Sequence, residues 1–246
     1  MLNPTYKIRS IRSKRTSGAT APSACSIDGI LKLDGPESPH CVYNEQVCCR
    51  LAQTLHIPVA DGVLTTGTDG PAFVSLEVSS PGERLPDIHY RSLPKIAAKY
   101  QSEVAALVAF DIFIGNSDRY RNMKVSLVND QLRLFRAFDH SHALLNIDLD
   151  AVEKSVAILE SDALIAEHHP FYGLVDSIAL RSWCQRIADV QDVMISECCV
   201  YQKPFRGVPV WVQDRLAAAL NGRKRRLLSI IQANEMIVRT RHSAFL

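Results

Sequence analysis

The sequence has 246 residues, which is enough for one large domain or for two lobes around a substantial core. Its composition, 47% hydrophobic and 22% charged, is ordinary for a globular protein, and a net charge of +2 excludes strong general attraction to nucleic acid. No apolar run approaches the roughly 20 residues of a membrane span, and the basic N-terminus lacks the apolar core of a secretory signal.

The first third of the chain predicts a small, strand-rich lobe. Residues 6–33 favour strands, interrupted by a Ser/Gly/Ala/Pro loop at residues 15–23. A helix is predicted over residues 42–55, where apolar side chains recur every four residues. Two further strands, at residues 62–66 and 72–78, are separated by the turn sequence GTDGP.

The rest of the chain predicts a larger, mostly helical lobe. From about residue 92 an apolar helical pattern continues to Gly115, which is a natural helix stop. A hairpin is predicted next, and then helical segments at residues 149–166, 174–199, 209–220 and 222–238, the last two separated at Asn221-Gly222. The composition change at SSPGERLPD divides the chain into an N-lobe, residues 1–86, and a C-lobe, residues 87–246. The expected fold class is therefore α+β with two lobes.

The seven cysteines do not form a recognisable metal or disulfide pattern. Their number is odd, none has the CxxC spacing of a zinc site, and Cys48 and Cys198 lie in apolar helical patterns. Small, reduced core cysteines are typical of cytosolic proteins, so we expect a cytoplasmic location.

Two acidic loops flank the predicted hairpin. Asp118 and Asn122 lie in the loop before it, and Asp139 follows its second strand. Because a hairpin holds its two ends together, we expect these three side chains to converge. Carboxylate and amide oxygens suit Mg²⁺, which usually completes its shell with phosphate oxygens. The region is therefore a candidate phosphoryl-transfer site.

The N-lobe contains a second pair of opposite charges. Lys32 lies in the apolar strand GILKL, and Glu45 lies in the helix that follows. An enclosed lysine needs a partner, and a strand lysine held by a helix glutamate binds nucleotide phosphates in kinases. The alternative is an edge-strand lysine that points to solvent. The small residues of SGATAPS would let backbone N–H groups approach phosphate, although neither a Walker A motif nor GxGxxG is present.

The order of these parts resembles a known family. The segments RTSGATAPSACSIDGILKL, YNEQVCCRLAQTLHIPVA, FDIFIGNSDRYRN and FRAFDHSHAL are similar to HipA-like kinases, the serine/threonine kinases of bacterial toxin–antitoxin modules and their small stand-alone relatives. The resemblance covers residues 10–146, and its most specific element is GNSDR and FDH with a hairpin between them. It implies a protein-kinase-like fold, ATP and Mg²⁺ as cofactors, a protein substrate and an antitoxin-type partner. No membrane association or direct nucleic-acid binding is expected.

The resemblance also implies roles for individual residues. Asp118 resembles the catalytic aspartate that orients the substrate hydroxyl, and Asn116 would shape its loop. Asp139 resembles the metal-binding aspartate, with Asn122 as a second ligand. The residues expected to bind the nucleotide are Lys32 with Glu45, the backbone around Glu77 as the adenine hinge, and Ser17, Gly18, Ala19 and Thr20 over the phosphates.

The sequence departs from the kinase pattern near the metal. The usual metal-binding asparagine lies five residues after the catalytic aspartate, where this chain has Met123, and Asn122 comes one residue early. This departure leaves open a nucleotide-binding pseudokinase that acts as a scaffold or regulator. Two further alternatives are open: a phosphoinositide-kinase-like lipid kinase, because phosphoinositide kinases share the GxxDR…N and DH elements, and a helical interaction protein with capped acidic turns.

Two further patterns have simple structural interpretations. His168-His169-Pro170 predicts a loop, because no further ligand lies at metal-site spacing. The basic run at residues 223–226 predicts a solvated helix face rather than a nucleic-acid contact, because no aromatic stacking residues lie nearby.

Overall fold

The computed structural model describes residues 6, 8–14, 23–67, 70–79, 85, 87–127 and 133–240. The described strands are β1 (Ile8–Lys14), β2 (Ser23–Ile27), β3 (Gly29–Lys32), β4 (Gly62–Gly67), β5 (Gly70–Leu76), β6 (Met123–Val125) and β7 (Phe135–Ala137). The described helices are α1 (Cys41–Leu55), α2 (Leu93–Lys99), α3 (Gln101–Ile114), α4 (Val152–Glu160), α5 (Ser177–Ala188), α6 (Asp192–Cys199), α7 (Val210–Ala233) and α8 (Glu235–Arg239). Two short 3₁₀ helices lie at Tyr90–Ser92 and Leu144–Asn146.

The N-terminal strands form two antiparallel sheets. β1 pairs with β2, and a second sheet has the order β3-β5-β4. β2 and β3 are separated only by Asp28, so this stretch pairs with β1 in its first half and with β5 in its second. Lys32 is in register with Phe73, which is buried in the core together with residues of α1. Directly opposite residues share a face of the sheet, so Lys32 lies on the side that carries α1.

Helix α1 lies inside the molecule. The residues at the predicted four-residue spacing, Val47, Leu51 and Leu55, are all buried. The opposite side of the helix is buried as well, and the Tyr43 hydroxyl donates a hydrogen bond of 2.8 Å to the carbonyl of Cys199. One hydrophobic cluster contains residues of α1, α3, α5 and α7. Helix α1 therefore shares its core with the helices of the predicted C-lobe.

Helix α3 determines where the first acidic loop begins. Every residue from Glu103 to Ile114 is buried, and the helix ends at Gly115, as the sequence predicts. Gly115 has φ +70°, and a Cβ at this position would lie 2.6 Å from the Cδ1 of Ile147. Both the backbone conformation and the space therefore favour glycine. The predicted hairpin follows, with Met123 opposite Ala137 and Val125 opposite Phe135.

The C-terminal helices correct two predictions. Helix α7 runs without interruption through Asn221-Gly222, because Asn221 is buried and its side chain donates to the carbonyl of Asp192 and to Ser196 Oγ. The basic run is not uniformly solvated either. Arg223 is 0% exposed and Lys224 is 3% exposed, since both side chains end on backbone carbonyls inside the protein. Within the described residues, no helix is long and apolar enough to cross a membrane.

Candidate active site

Three chain segments bring their charges together around Lys32. Its ammonium lies 3.4 Å from Glu45 Oε1 on α1 and 2.6 Å from Asp139 Oδ2 in the loop after β7. The Lys32 side chain is 16% exposed and that of Glu45 only 3%, so this lysine does not point to solvent. One ammonium therefore links the sheet, the buried helix and the second acidic loop.

The electrostatics of this group keep it ionised. Burial acts to raise the pKa of Asp139, but the hydrogen bond and charge of Lys32, together with bonds from Ser141, outweigh it and hold that pKa well below its usual range. For Lys32, burial acts to lower the pKa, but the charges of Glu45 and Asp139 prevail and raise it. The site therefore presents a carboxylate and an ammonium at neutral pH.

Asp118 lies on the surface at the first acidic loop, whereas its supports are buried. Asn116 is 1% exposed; its side chain donates to Asp111 Oδ1 at 3.0 Å and accepts the backbone N–H of Asp118 at 3.2 Å. Asn116 therefore ties the loop to helix α3, as expected for a residue that shapes it. The Asp118 carboxylate remains accessible to a reactant.

Asn122 lies between the two acidic loops. Its side-chain amide donates to the Asp118 carbonyl at 2.9 Å and to Asp118 Oδ2 at 3.4 Å. Its own carbonyl accepts the N–H of Phe138 at 3.0 Å, immediately before Asp139. The hairpin thus places the Asn122 side chain against Asp118 and its carbonyl against the residue before Asp139, while Met123 is fully buried in β6 and is not available as a ligand.

A buried ion pair fixes the position of the two acidic loops relative to each other. Arg119 and Asp111 are both fully buried, and two guanidinium nitrogens donate to the Asp111 carboxylate at 2.8 and 2.9 Å. A third nitrogen of Arg119 donates to the carbonyls of Asn122, at 3.1 Å, and Phe138, at 2.6 Å. His169 also contacts Asp111, at 3.1 Å. One arginine beside the candidate catalytic aspartate therefore binds the backbone next to the candidate metal ligand.

The backbone of Asp139 is held in an unusual conformation. Its φ is +64°, in the left-handed region that few residues other than glycine adopt. Arg119 holds the carbonyl before it, and the N–H of His140 after it donates to Glu45 Oε1 at 3.0 Å. Glu45 therefore contacts both Lys32 and the loop that carries Asp139. Buried His140 Nε2 has no hydrogen-bond partner among the described residues.

The residues present suit a Mg²⁺–nucleotide complex. Asp139 supplies an ionised carboxylate and Asn122 an amide, which are oxygen ligands of the kind Mg²⁺ prefers when phosphates complete its shell. In the described ranges, no cluster of three or more His, Cys, Asp or Glu could hold a metal alone.

Comparison with solved structures identifies the architecture. A structure of the Shewanella oneidensis MR-1 toxin–antitoxin system, HipA with HipB and its operator DNA, matches over 89% of this chain and 62% of that chain, at 17% identity and a TM-score of 0.56. The Helicobacter pylori proinflammatory kinase CtkA matches over 92% of this chain and 95% of that chain, at 13% identity and a TM-score of 0.56. This chain has a HipA-like kinase fold.

The HipA-like kinase fold confirms the predicted α+β, kinase-like architecture. This chain spans only 62% of the length of the HipA chain it matches. No protein-family model matches the sequence, and no curated protein matches it. The likeness therefore establishes the fold, and the roles of the site residues remain proposals.

The predicted phosphate loop and the predicted hinge are known in different detail. Ser17, Gly18, Ala19 and Thr20 lie outside the described residues. Glu77, the predicted hinge residue, follows β5, and its N–H donates to the carbonyl of Asp28 at 3.1 Å. An adenine would therefore have to use the Glu77 carbonyl or a neighbouring peptide group.

Local sequence patterns do not predict the residues that support the site. Asp111, Arg119 and His169 carry no predicted functional role, although each is buried next to an acidic loop. One signal was available, because Asp111 interrupts the apolar helical run VAFDIFI. A carboxylate in such a run requires a buried cationic partner, and the nearest arginine in the following loop is Arg119.

Proposed function

We propose that this chain is an ATP- and Mg²⁺-dependent kinase that phosphorylates a serine or threonine hydroxyl on a protein substrate. The observation that carries the proposal is the Lys32 ammonium, held by Glu45 and Asp139 from two other chain segments. That arrangement places a fixed cation beside an ionised carboxylate, as phosphate and metal binding require. The HipA-like kinase fold supports the same conclusion.

Each residue of the site has a defined task in this reaction. Lys32 binds nucleotide phosphates, and Glu45 keeps its ammonium in place. Asp118, accessible at the surface, orients the substrate hydroxyl and accepts its proton as the oxygen–phosphorus bond forms and the bond to the ADP oxygen breaks. Asp139 and Asn122 hold Mg²⁺, which neutralises phosphate charge when bound. Arg119 keeps the two loops at a fixed spacing.

A pseudokinase is the second candidate, and one observation favours it. The Asn122 amide nitrogen is directed to Asp118, and Met123, at the usual ligand position, is buried in β6. A site in which Asp139 is the one well-placed protein ligand for Mg²⁺ would bind nucleotide and still transfer phosphate poorly. Binding and transfer therefore have to be measured separately.

The decisive experiment compares Asp118→Asn and Asp139→Asn with the unaltered protein. We expect Asp118→Asn to retain Mg-ATP binding but to reduce labelling of lysate proteins by labelled ATP by about 10²–10⁴-fold, the usual contribution of a positioned base. We expect Asp139→Asn to abolish Mg²⁺-dependent ATP binding. Binding is read from thermal unfolding, where ligand at 100 times Kd stabilises by about 2.7 kcal/mol.

Asp150→Asn is the matched control, because Asp150 is an exposed aspartate in the loop before α4. It should leave binding and transfer unchanged. Binding without transfer in the unaltered protein would favour the pseudokinase. If the unaltered protein is folded but shows neither ATP binding nor phosphate transfer, both candidates are excluded.

We also propose an antitoxin-type protein partner, by analogy with the HipA structure, which contains HipB and operator DNA. Co-purification of a small protein from the source cells, dependent on the folded chain, would test this. We infer no docking surface from this analogy. The match covers 62% of the HipA chain, and the other 38% has no counterpart in this chain.

A further inference from the structure

The segment that follows Asp139 is a short turn that leads into a buried 3₁₀ helix. Only residues 140–143 separate Asp139 from the 3₁₀ helix Leu144–Asn146. Ala143 and Leu144 are 0% exposed, Leu145 is 1% and Asn146 is 4%. This part of the chain is therefore packed into the protein, and its geometry is set by the groups that contact it.

Ser141 fixes one oxygen of the candidate metal ligand. Its hydroxyl donates to Asp139 Oδ1 at 2.7 Å, and its backbone N–H donates to the same oxygen at 3.3 Å. The other carboxylate oxygen, Oδ2, contacts Lys32. The direction of the Asp139 carboxylate therefore depends on the orientation of the Ser141 peptide.

Three side chains in turn hold the carbonyl of Ser141. Asn146 Nδ2 donates to it at 2.6 Å, Ser38 Oγ at 3.0 Å and Asn44 Nδ2 at 3.4 Å. A carbonyl oxygen has two lone pairs, so three donors fully occupy it and define the plane of the peptide. We call these three residues and Ser141 the Ser141 clamp.

The two asparagines of the clamp are buried and fully engaged. Asn44, 0% exposed, also donates to the Ala143 carbonyl at 2.7 Å and accepts the N–H of Leu145 at 3.3 Å. Asn146 also donates to Ser38 Oγ at 2.7 Å and accepts the N–H of His40 at 3.2 Å. Asn44 precedes Glu45 on α1, so one turn of this helix contacts both Lys32 and the Ser141 clamp.

We propose that Asn44 and Asn146 are positioning residues that direct the Asp139 carboxylate toward the metal through Ser141. This inference rests on the proposed function, because Asp139 must bind a metal for its direction to matter. Outer partners of a metal ligand usually change metal affinity by 10–100-fold when they are removed. The competing role is purely structural: two buried amides that satisfy backbone groups in a packed turn.

The experiment uses Mn²⁺ as a spectroscopic probe with the non-hydrolysable nucleotide AMPPNP, and free Mn²⁺ is measured by electron paramagnetic resonance. We expect Asn44→Ala and Asn146→Ala to weaken Mn²⁺ binding at saturating AMPPNP by about tenfold or more. Ser141→Ala should do the same, and Ser141→Thr, which keeps the hydroxyl, should restore most of the affinity.

The matched control is Asn221→Ala. Asn221 is a buried asparagine in α7 that also donates to a backbone carbonyl and a serine hydroxyl, at Asp192 and Ser196. It should lower the melting temperature and leave Mn²⁺ affinity unchanged. If the clamp variants lose stability as Asn221→Ala does, and keep Mn²⁺ affinity within about twofold, the positioning role is wrong.

If the alanine variants do not fold, Mn²⁺ binding is measured with Asn44→Asp and Asn146→Asp instead. Each keeps its size and its acceptor oxygen but loses the donor to Ser141. The added negative charge by itself favours a cation, so weaker Mn²⁺ binding would come from lost positioning, and unchanged or tighter binding would contradict the proposal. Absence of Mn²⁺–AMPPNP binding by the unaltered chain would overturn the proposed function and this inference together.

Discussion

Arg119 connects the two acidic loops, and its full burial limits the groups that can balance its charge. The Arg119 guanidinium is fully buried against a carboxylate, and removal of one member of such a pair leaves an uncompensated charge in the interior. Asp111 is that partner, and Arg119 lowers the pKa of Asp111 well below its usual range against the opposing effect of burial. The loop geometry at the site therefore depends on one ion pair.

Removal of the charge of Asp111 should be costly to the fold. We expect Asp111→Asn to lower the free energy of unfolding by about 3–5 kcal/mol, measured by urea denaturation, since Arg119 would stay buried without a counter-ion. Glu160→Gln is the comparison, because its pair with Arg215 is 40% and 38% exposed and is screened by water. Equal losses in both variants would argue against a critical buried pair.

His169 should make stability depend on pH. Its Nδ1 accepts the N–H of Phe171 at 3.2 Å while Nε2 faces Asp111, so the folded protein favours the neutral ring. Burial lowers the pKa of His169, although Asp111 opposes the shift. Below pH about 6.5, the unfolded chain therefore binds a proton that the folded chain does not, and stability falls as pH falls.

His169→Gln tests this dependence. The amide can still donate to Asp111, and we expect a flatter curve of unfolding free energy against pH between about 6.5 and 5. His40, whose pKa is also lowered by burial, should leave a residual slope. His56→Asn, at an exposed helix end, controls for the replacement of a histidine that makes no buried contact with Asp111. A curve that is identical in the His169 variant and the unaltered protein would contradict the assignment.

For individual residues, the sequence predicts the charged groups of the site but not all of the groups that pair with them. Lys32 and Glu45 were predicted as a pair because a strand and the next helix are close along the chain. His169 was predicted to lie in an unremarkable loop, since its partner Asp111 is 58 residues away. Contacts of that range depend on helix packing, which local patterns do not encode.

At the scale of elements, helix α7 gives a sharp test of the corrected prediction. Gly222 lies inside a continuous helix, and a Cβ there would meet only the end of the flexible Arg226 side chain, at 3.2 Å. We expect Gly222→Ala to raise the free energy of unfolding by about 0.5–1 kcal/mol, because alanine loses less backbone entropy in a helix. Urea denaturation measures it, and a loss of stability would indicate a real break here.

The same helix shows why the break was mispredicted. Asn-Gly is a strong turn signal in isolation. Here the Asn221 side chain is used at the contact with α6, and Arg223, two residues further on, reaches the carbonyls of Ile112, Ser161 and Ala163. Burial of these groups outweighs the local preference for a turn. The strands, hairpin and helix α1 were predicted because their patterns and their packing agree.

For the whole molecule, the relevant feature is that α1 packs against both the N-terminal sheet and the C-terminal helices. Asp34, before the helix, pairs with Arg206 at 2.6 Å, and Tyr43 bonds to Cys199. We therefore expect hydrogen exchange to give α1 the same opening free energy as α3, within about 1 kcal/mol, as parts of one cooperative unit. The more exposed β1 and β2 should exchange at lower free energy.

Early exchange of α1 together with β1 and β2 would show that the N-lobe opens separately. The predicted division at residues 86 and 87 remains a prediction. The two-lobed, kinase-like fold was predictable because each of its parts can be recognised from its own stretch of sequence. These parts are the loop, the lysine strand, the glutamate helix and the acidic loops, in that order. The shared core was not, because the contact between Tyr43 and Cys199 joins residues 156 positions apart.

Cys25 differs from every other cysteine in the chain. It is exposed on β2, whereas the other six are buried. Burial raises the pKa of Cys41 and Cys49 to about 11 and that of Cys184 to about 12, so these thiols stay protonated and shielded from reagents. A maleimide dye added to the native protein should therefore attach at Cys25 alone. The chain thus provides a single labelling position on the strand that follows residues 15–22, from which fluorescence could test the proposed nucleotide binding.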